Sequence, residues 1–470
     1  MHIVIAGNNE IAFNIAQVLS HEYTITLVGA SEFQFHHLEG NERVRLVPGD
    51  ILDVEVLSKA DVHNCDVFVA STDVDDRNIV ACLSAKSLFR LQRQEDERNS
   101  LERVGEQHII CLLNQPNFSG VKNYDEQLET SLGIDAVVRP AEELATEIAD
   151  IANFPGALDI KIFEEEVIIL RAEIEEGAPV VDRQILSLSL PEDILLVSCR
   201  RGEEPPFLPT GKSILRARDK VTVIGFSHSL RNLLKNHFQV VDHEKEKKRV
   251  TIIGGGSCGS VVASKLYDTG WSVDVIETDP EIQKQLASEG KYLVHLGDGT
   301  DFITLQEFAV QDSSLVVAVT NSDEKNFLSS VLAQYMGVER IITRANRLVN
   351  EVLFERLGID VVLSARGAAI RKLVHEVIEN SPVRAELEHG VFQTLEIKLG
   401  KKFRPRMAKE CELGKSALIG VVVRGKSIKI STGQTMLLPS DRVLFIVHRD
   451  HVEELRIRIR NMEYDYEESR

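Results

Sequence analysis

Gly254-Gly255-Gly256-Ser257-Cys258-Gly259 is the stretch of this chain best suited to chemistry, and Glu277 follows Gly254 by 23 residues. The six letters make a full G-x-G-x-x-G. Gly254 allows a tight turn, Gly256 lets the backbone approach a pyrophosphate, and Gly259 lets a helix pack closely on the preceding strand. A helix opening at this loop would offer unpaired N–H groups and a partial positive charge to phosphate. Glu277 would accept hydrogen bonds from ribose hydroxyls. The chemistry is recognition of a dinucleotide rather than bond-breaking. The same letters hold a rival, G-x-S-x-G over Gly255–Gly259, the nucleophile elbow of hydrolases. That elbow normally follows several strands of its own domain. This one follows the charged run His243–Arg249 and opens a new domain. Cys258 beside a helix N-terminus could carry a lowered pKa; the plainer account is a small residue filling space.

The surrounding pattern supplies the elements that such a loop needs. Val250–Ile253 is a β-branched run and reads as a buried strand. Ser260–Thr269 places Val262 and Leu266 four apart, as a packed helix would, and Gly270 suits its C-terminus. Ser272–Ile276 reads as the next strand, with Glu277 at its end. Strand Tyr292–His295 leads to Gly297-Asp298-Gly299-Thr300, and strand Val316–Val319 leads to Thr320-Asn321. In doubly wound sheets, ligands sit beyond the carboxyl ends of the strands. Glu277, Asp298 and Thr320 all fall there.

The theme occurs twice. Strand His2–Ala6, a helix with Ile15, Ala16 and Leu19 on one face, and strand Thr24–Val28 repeat it at the N-terminus. There Gly7-Asn8-Asn9-Glu10-Ile11-Ala12 keeps only the first glycine, and Gly29 stands in place of the acid. Thr72–Asn78 matches Thr320–Asn326 at an offset of 248, and Leu132–Asp135 matches Leu357–Asp360 at 225. The first half thus carries 23 extra residues, assigned to the charged segment Leu91–Gln107, an exposed helix or loop without function. A second unit also repeats: Thr210–Leu215 with Asp219-Lys220-Val221, and Thr432–Leu437 with Asp441-Arg442-Val443. Short β-rich runs surround these marks, at Ile160–Phe163, Val167–Leu170, Leu195–Cys199, Val221–Ile224, Leu395–Leu399, Gly420–Val423 and Val443–Val447. The expected architecture is α/β. Two doubly wound Rossmann domains, 1–145 and 243–375, are each followed by a small α+β module, 146–242 and 376–470. The tail Asn461–Arg470 reads as disordered.

Bulk properties narrow the partners. A chain of 470 residues has room for several domains. Its net charge of −19 disfavours nucleic acid and anionic lipid. No apolar run reaches the roughly 18 residues of a membrane span, so no direct membrane insertion is expected. The N-terminus has no signal-peptide shape. Six scattered cysteines form no C-x-x-C pair, which suggests neither metal nor disulfide framework and fits a reducing cytoplasm. Asp73-Val74-Asp75-Asp76 lacks the glycine and distal glutamate of a calcium loop.

The order of units, together with IIGGGSCG…VIE, GDGTD, VAVTNSDEKN and TGQTMLLPSDRV, resembles the TrkA family over nearly the whole chain. These are peripheral nucleotide-binding subunits of Trk-type bacterial potassium uptake systems, built from regulator-of-potassium-conductance (RCK) domains. The resemblance implies binding of NAD(H) and of adenine nucleotides such as ATP or ADP. It also implies homo-oligomeric assembly, a cytoplasmic place at the inner face of the membrane, and gating of a potassium-translocating membrane subunit, without catalysis. By position, Gly254–Cys258 would hold the pyrophosphate and Glu277 the ribose. Asp298, Thr320 and Asn321 would line the adenosine side. Arg344, after strand Arg340–Thr343, would reach phosphate. In the first half the matching residues are Gly7, Asn8, Asn9, Glu10, Ile11, Thr72 and Asp73. That half departs from the pattern at Asn9, Ala12 and Gly29, and has Leu112 and Asn114 where the family often has arginine. Two alternatives stand beside this reading. One is an NAD-dependent dehydrogenase, although the small modules offer no evident proton-transfer residue beside a nicotinamide. The other is a regulatory subunit of a different cation transporter or antiporter.

Overall fold

A computed structural model describes residues 1–20, 23–29, 40–98, 107–114, 132–163, 167–202, 204–240, 248–377, 383–388, 390–414 and 416–464. They divide into two compact units: Met1–Ala149 with Arg249–Val377, and Asp150–Lys248 with Ile378–Arg470.

In the first unit, β1 (His2–Ala6), β2 (Thr24–Val28), β3 (Val44–Val47), β4 (Val67–Ala70), β5 (His108–Leu112) and β6 (Ala136–Val138) form one sheet. Its order is β3-β2-β1-β4-β5-β6, and every pairing is parallel. The chain then builds β7 (Ala157–Phe163), β8 (Val167–Glu173), β9 (Ile194–Arg200) and β10 (Lys220–Phe226) in the second unit, an antiparallel sheet of order β7-β8-β10-β9. It returns to the first unit for β11 (Arg249–Ile253), β12 (Ser272–Glu277), β13 (Leu293–Leu296), β14 (Leu315–Ala318), β15 (Ile341–Arg344) and β16 (Val361–Leu363). These repeat the first order as β13-β12-β11-β14-β15-β16, again all parallel. It ends in the second unit with β17 (Val383–Leu387), β18 (Phe392–Lys398), β19 (Arg406–Met407), β20 (Ala417–Arg424), β21 (Ser427–Ile430), β22 (Met436–Leu437) and β23 (Arg442–His448).

The central strands of both parallel sheets are apolar runs because helices cover both faces. Strands β4 and β14, Val67–Ala70 and Leu315–Ala318, are buried at every position. Next to β11 the strand order reverses, with β12 on one side and β14 on the other. Such a reversal leaves a crevice at the carboxyl edge, and the glycine loop leaves β11 there. The two halves are joined within this unit. Helix Ala365–Val377 packs on helix Glu10–Leu19 and on β5 and β6. Arg366 pairs with Glu10, and Arg371 Nε donates to Glu147 Oε1 at 2.8 Å.

In the second unit the two antiparallel sheets share one core, in which Phe163, Val167 and Ile224 meet Phe392, Val421 and Ile446. The repeated Asp219 and Asp441 turn out to be identical anchors. Arg201 grips Asp219 through Nε at 2.8 Å and Nη2 at 2.7 Å, and Arg424 grips Asp441 at the same two distances. Each β-rich run expected from the sequence falls on a strand, but Ile160–Phe163 ends β7, Val167–Leu170 opens β8, and Leu399 lies one residue beyond β18. One expectation is overturned: helix Val452–Tyr464 carries the chain through Asn461–Tyr464, with Met462 buried in the core. Residues 465–470 lie outside the described set. The surplus of the first half is also spread differently. Helix Asp75–Arg98 has 24 residues against 13 in Asp323–Tyr335, and it covers Leu91–Arg98; residues 99–106 lie outside the described set.

Candidate nucleotide site

Helix Ser257–Asp268 begins at the glycine loop, with Gly256 as its N-cap residue. Gly254 has φ +101, a left-handed conformation that glycine adopts without strain. Gly259 lies so close to the loop that an added Cβ would stand 1.8 Å from the Gly254 carbonyl oxygen. Gly256 is the opposite case: a Cβ there would meet nothing within 4 Å, because this residue faces a cavity of about 360 Å³. Gly254, Gly256, Ser257, Cys258, Glu277, Asp298, Thr320, Asn321 and Arg344 all line that cavity. Gly255 and Gly259 do not; they shape the loop from behind.

Glu277 ends β12 almost completely buried, at 8 % exposure. An ionised carboxylate at such a place needs fixed donors, since losing its water costs several kcal/mol. Oε1 accepts from the backbone N–H groups of Thr278 at 2.7 Å and Asp279 at 2.9 Å, and Oε2 accepts from Gly255 N–H at 2.6 Å. A carboxylate has about four acceptor positions, so Oε2 retains one for a hydroxyl in the cavity. Asp298 is held by Thr300, whose backbone N–H (2.9 Å) and hydroxyl (2.8 Å) both donate to Oδ1. These two bonds hold its carboxyl below the usual aspartate range.

The far wall depends on a residue that the sequence reading passed over. Asn326 is fully buried. Its Oδ1 accepts from the Thr320 N–H (2.8 Å) and hydroxyl (2.6 Å), and its Nδ2 donates to the carbonyls of Thr320 and Arg344, both at 3.0 Å. One amide thus ties the end of β14 to the end of β15. The signal was present, because Asn78 and Asn326 close the matched heptapeptides. Arg344 is the last residue of β15 rather than the first beyond it. Its Nη1 donates to Asn321 Oδ1 at 3.2 Å, while its Nε is buried with no hydrogen-bond partner in the protein. Burial lowers its pKa. A half-buried guanidinium with a spare donor, close to a helix N-terminus, has the chemistry to receive an anion.

The first half copies the frame but not the glycine loop or the arginine. Asn78 makes the same four bonds, to the Thr72 N–H (2.8 Å) and hydroxyl (2.6 Å) and to the carbonyls of Thr72 (2.9 Å) and Leu112 (2.8 Å). Leu112 therefore stands where Arg344 stands, and it is wholly buried. Ala12 replaces Gly259, and Gly7 lies outside the positive-φ region that Gly254 occupies. The loop takes another path because a methyl group must fit beneath it. Asn9 caps helix Glu10–Leu19, accepting from Ala12 N–H at 3.0 Å, and its Nδ2 donates to Asp73 Oδ1 at 2.9 Å. Glu10 is engaged by Arg366, and Ile11 is buried. Asn8 is exposed.

The reactive reading of Cys258 fails. The thiol is 1 % exposed and burial pushes its pKa up to about 12, so it fills space. Among the cavity-lining residues there is no histidine to serve Ser257 as a base, which removes the hydrolase elbow's chemistry. Among the described residues, no three His, Cys, Asp or Glu side chains are placed to hold a metal, and no helix is long and apolar enough to cross a membrane. All six cysteines are described and buried, and none forms a disulfide. A thiol reagent at pH 8 should therefore label almost none of them in the native protein and all six in denaturant. Rapid native labelling of Cys258 would contradict the buried assignment.

The TrkA-N domain model matches residues 3–112 and 250–365, and the TrkA-C domain model matches residues 169–237. Trk system potassium uptake protein TrkA homolog 1 of Methanosarcina mazei is 30 % identical over 454 residues, covering 94 % of this chain and 96 % of the relative. The TrkA homolog of Archaeoglobus fulgidus is 28 % identical over 462 residues, covering 97 % and 99 %. Among solved structures, the GsuK channel bound to NAD shares the fold, with a TM-score of 0.57 at 18 % identity, covering 98 % of this chain and 79 % of that one. With both parallel halves and one antiparallel module matched, and a relative aligned along nearly its whole length, the chain belongs to the TrkA family of Trk potassium uptake proteins.

Proposed function

We propose that this chain is a nucleotide-sensing regulatory subunit of a potassium uptake system, and that NAD(H) binds in the cavity of its second parallel half. The domains are taken as 1–145, 146–242, 243–375 and 376–470. The observation that carries the reading is the pairing of opposite functions across one cavity. Glu277 keeps an acceptor position for a ribose hydroxyl, and Arg344 keeps a buried donor for phosphate. Gly256 leaves open space between the helix N-terminus and the cavity, which suits a pyrophosphate. Gly254, Ser257 and Cys258 would flank that group, with Asp298, Thr320 and Asn321 on the adenosine side. ADP and ATP carry the same adenosine and would compete. In the first half, Gly7, Asn8, Asn9, Glu10, Ile11, Thr72 and Asp73 would form at most a weaker site, because Asn9 bridges to Asp73 and Leu112 supplies no charge.

No histidine or tyrosine lines the cavity, and binding without turnover is the reading preferred over a dehydrogenase. The chain would act from the cytoplasmic face, as a homo-oligomer, through protein contacts with a potassium-translocating membrane subunit. Nucleotide shifts such an assembly only by binding one arrangement more tightly than another. A coupling of about 1–3 kcal/mol is usual.

The cofactor choice provides the test. Glu277 should repel a 2′-phosphate, which at an effective dielectric of about 20 costs up to roughly 4 kcal/mol at close range. Calorimetry on the whole chain should show NAD(H) bound at least about tenfold more tightly than NADP(H). Glu277→Gln should narrow that gap. Equal affinities in the unaltered protein would sink the ribose assignment.

A further inference from the structure

Lys325 lines the cavity of the second half and has no part in the fingerprint described above. It lies in the first turn of helix Asp323–Tyr335 and is exposed, as is Asp298 on the facing loop. No ion pair joins them: Asp298 Oδ1 is taken by Thr300, and Lys325 makes no side-chain bond in the described structure. The first half shows what these two positions do when nothing lies between them. Asp50 matches Asp298, each accepting at Oδ1 from the backbone N–H two residues on, at 2.9 Å in both cases. Arg77 matches Lys325 at the offset of 248 that also relates Asp50 to Asp298. Arg77 and Asp50 are joined in an ion pair. The two positions are thus within reach of each other, and in the second half the same two face an open cavity as one donor and one acceptor.

We infer that Lys325 is a ligand-contacting residue that, together with Asp298, reads the edge of an adenine base and rejects 6-oxopurines. The inference rests on the nucleotide reading of this cavity. Adenine presents an amino donor at position 6 beside a ring-nitrogen acceptor. Asp298 Oδ2 accepts from the amino group, and the Lys325 ammonium donates to the ring nitrogen. A 6-oxopurine places a carbonyl oxygen where the amino group was, so a carboxylate faces another acceptor. The base cannot turn to exchange the two contacts, because Glu277 fixes the ribose and the glycine loop fixes the phosphates. Arg77 and Asp50, being joined, leave no such pair free in the first half.

The experiment is equilibrium binding of NAD and of its hypoxanthine analogue, nicotinamide hypoxanthine dinucleotide, to the whole chain. The unaltered protein should prefer NAD by about tenfold or more. Lys325→Met should weaken NAD by about tenfold, with a smaller effect on the hypoxanthine analogue. Asp298→Asn, whose amide offers a donor to the 6-oxo group, should remove most of the preference. Both side chains are exposed, so both variants should fold, and unchanged melting checks this. Tight NAD binding without base preference, or a preference that survives both substitutions, overturns the role given to Lys325 and leaves the site reading intact. If neither dinucleotide binds, the site reading falls and this inference with it.

Discussion

Gly256→Asp should abolish the nucleotide response of potassium uptake in cells that lack their own regulatory subunit and are complemented with this chain. The substitution is informative because the backbone tolerates it. Gly256 has φ −64 and its Cβ would enter open space, so an L-residue is unstrained. Aspartate is also a favoured N-cap. The fold should survive while a carboxylate enters the space proposed for the pyrophosphate. Two charges about 4 Å apart, at an effective dielectric near 20, repel by roughly 4 kcal/mol. That corresponds to nearly a thousandfold in affinity. Asn9→Asp, at the matching place in the first half, should change the response little. If Gly256→Asp folds and uptake still answers to nucleotide as before, the second half is not the sensor.

Asn326→Ala should be the most damaging single change away from the cavity surface. It leaves the Thr320 N–H and the Arg344 carbonyl without partners in a buried place, each costing about 1–3 kcal/mol. Because two units unfold in one chain, a single unfolding free energy is not defined; the melting midpoint of the unit holding Asn326 is the proper readout. It should fall by about 5–10 °C, and NAD(H) affinity should fall with it, since Thr320 and Arg344 both line the cavity. Asn78→Ala removes the same four bonds in the first half. It should cost similar stability and leave NAD(H) affinity nearly unchanged. Equal loss of affinity in both variants would show that Asn326 acts through global stability and not by setting the wall of the site.

The parts legible in the sequence are those whose residue type is dictated locally. Gly254 needs a positive φ, Gly259 needs the absence of a Cβ, and the strand centres need apolar faces, so each announces itself. The duplication was legible because Thr72–Asn78 and Thr320–Asn326 are tied by the same threonine and asparagine side chains. Parts set by distant contacts were not legible. Asn326 appeared only as a repeated letter, since its bond to the Arg344 carbonyl depends on how β14 and β15 pair. Arg344 showed as a charge after a strand, but not as a cation with a spare buried donor. The helical course of Asn461–Tyr464 was hidden by a charged composition that only the burial of Met462 offsets. Nor could the sequence show that helix Ala365–Val377, the last element of the second half, packs on the first half through Arg366 and Glu10.

The central claim is that the cavity at the second glycine loop is the nucleotide site. It is tested most directly by calorimetric titration of the whole chain with NADH, beside the Gly256→Asp variant. Saturable binding at one tight site per chain, lost in the variant while its melting midpoint is kept, is the expected result. Undiminished binding by the folded variant, or no binding by the unaltered chain, would contradict it.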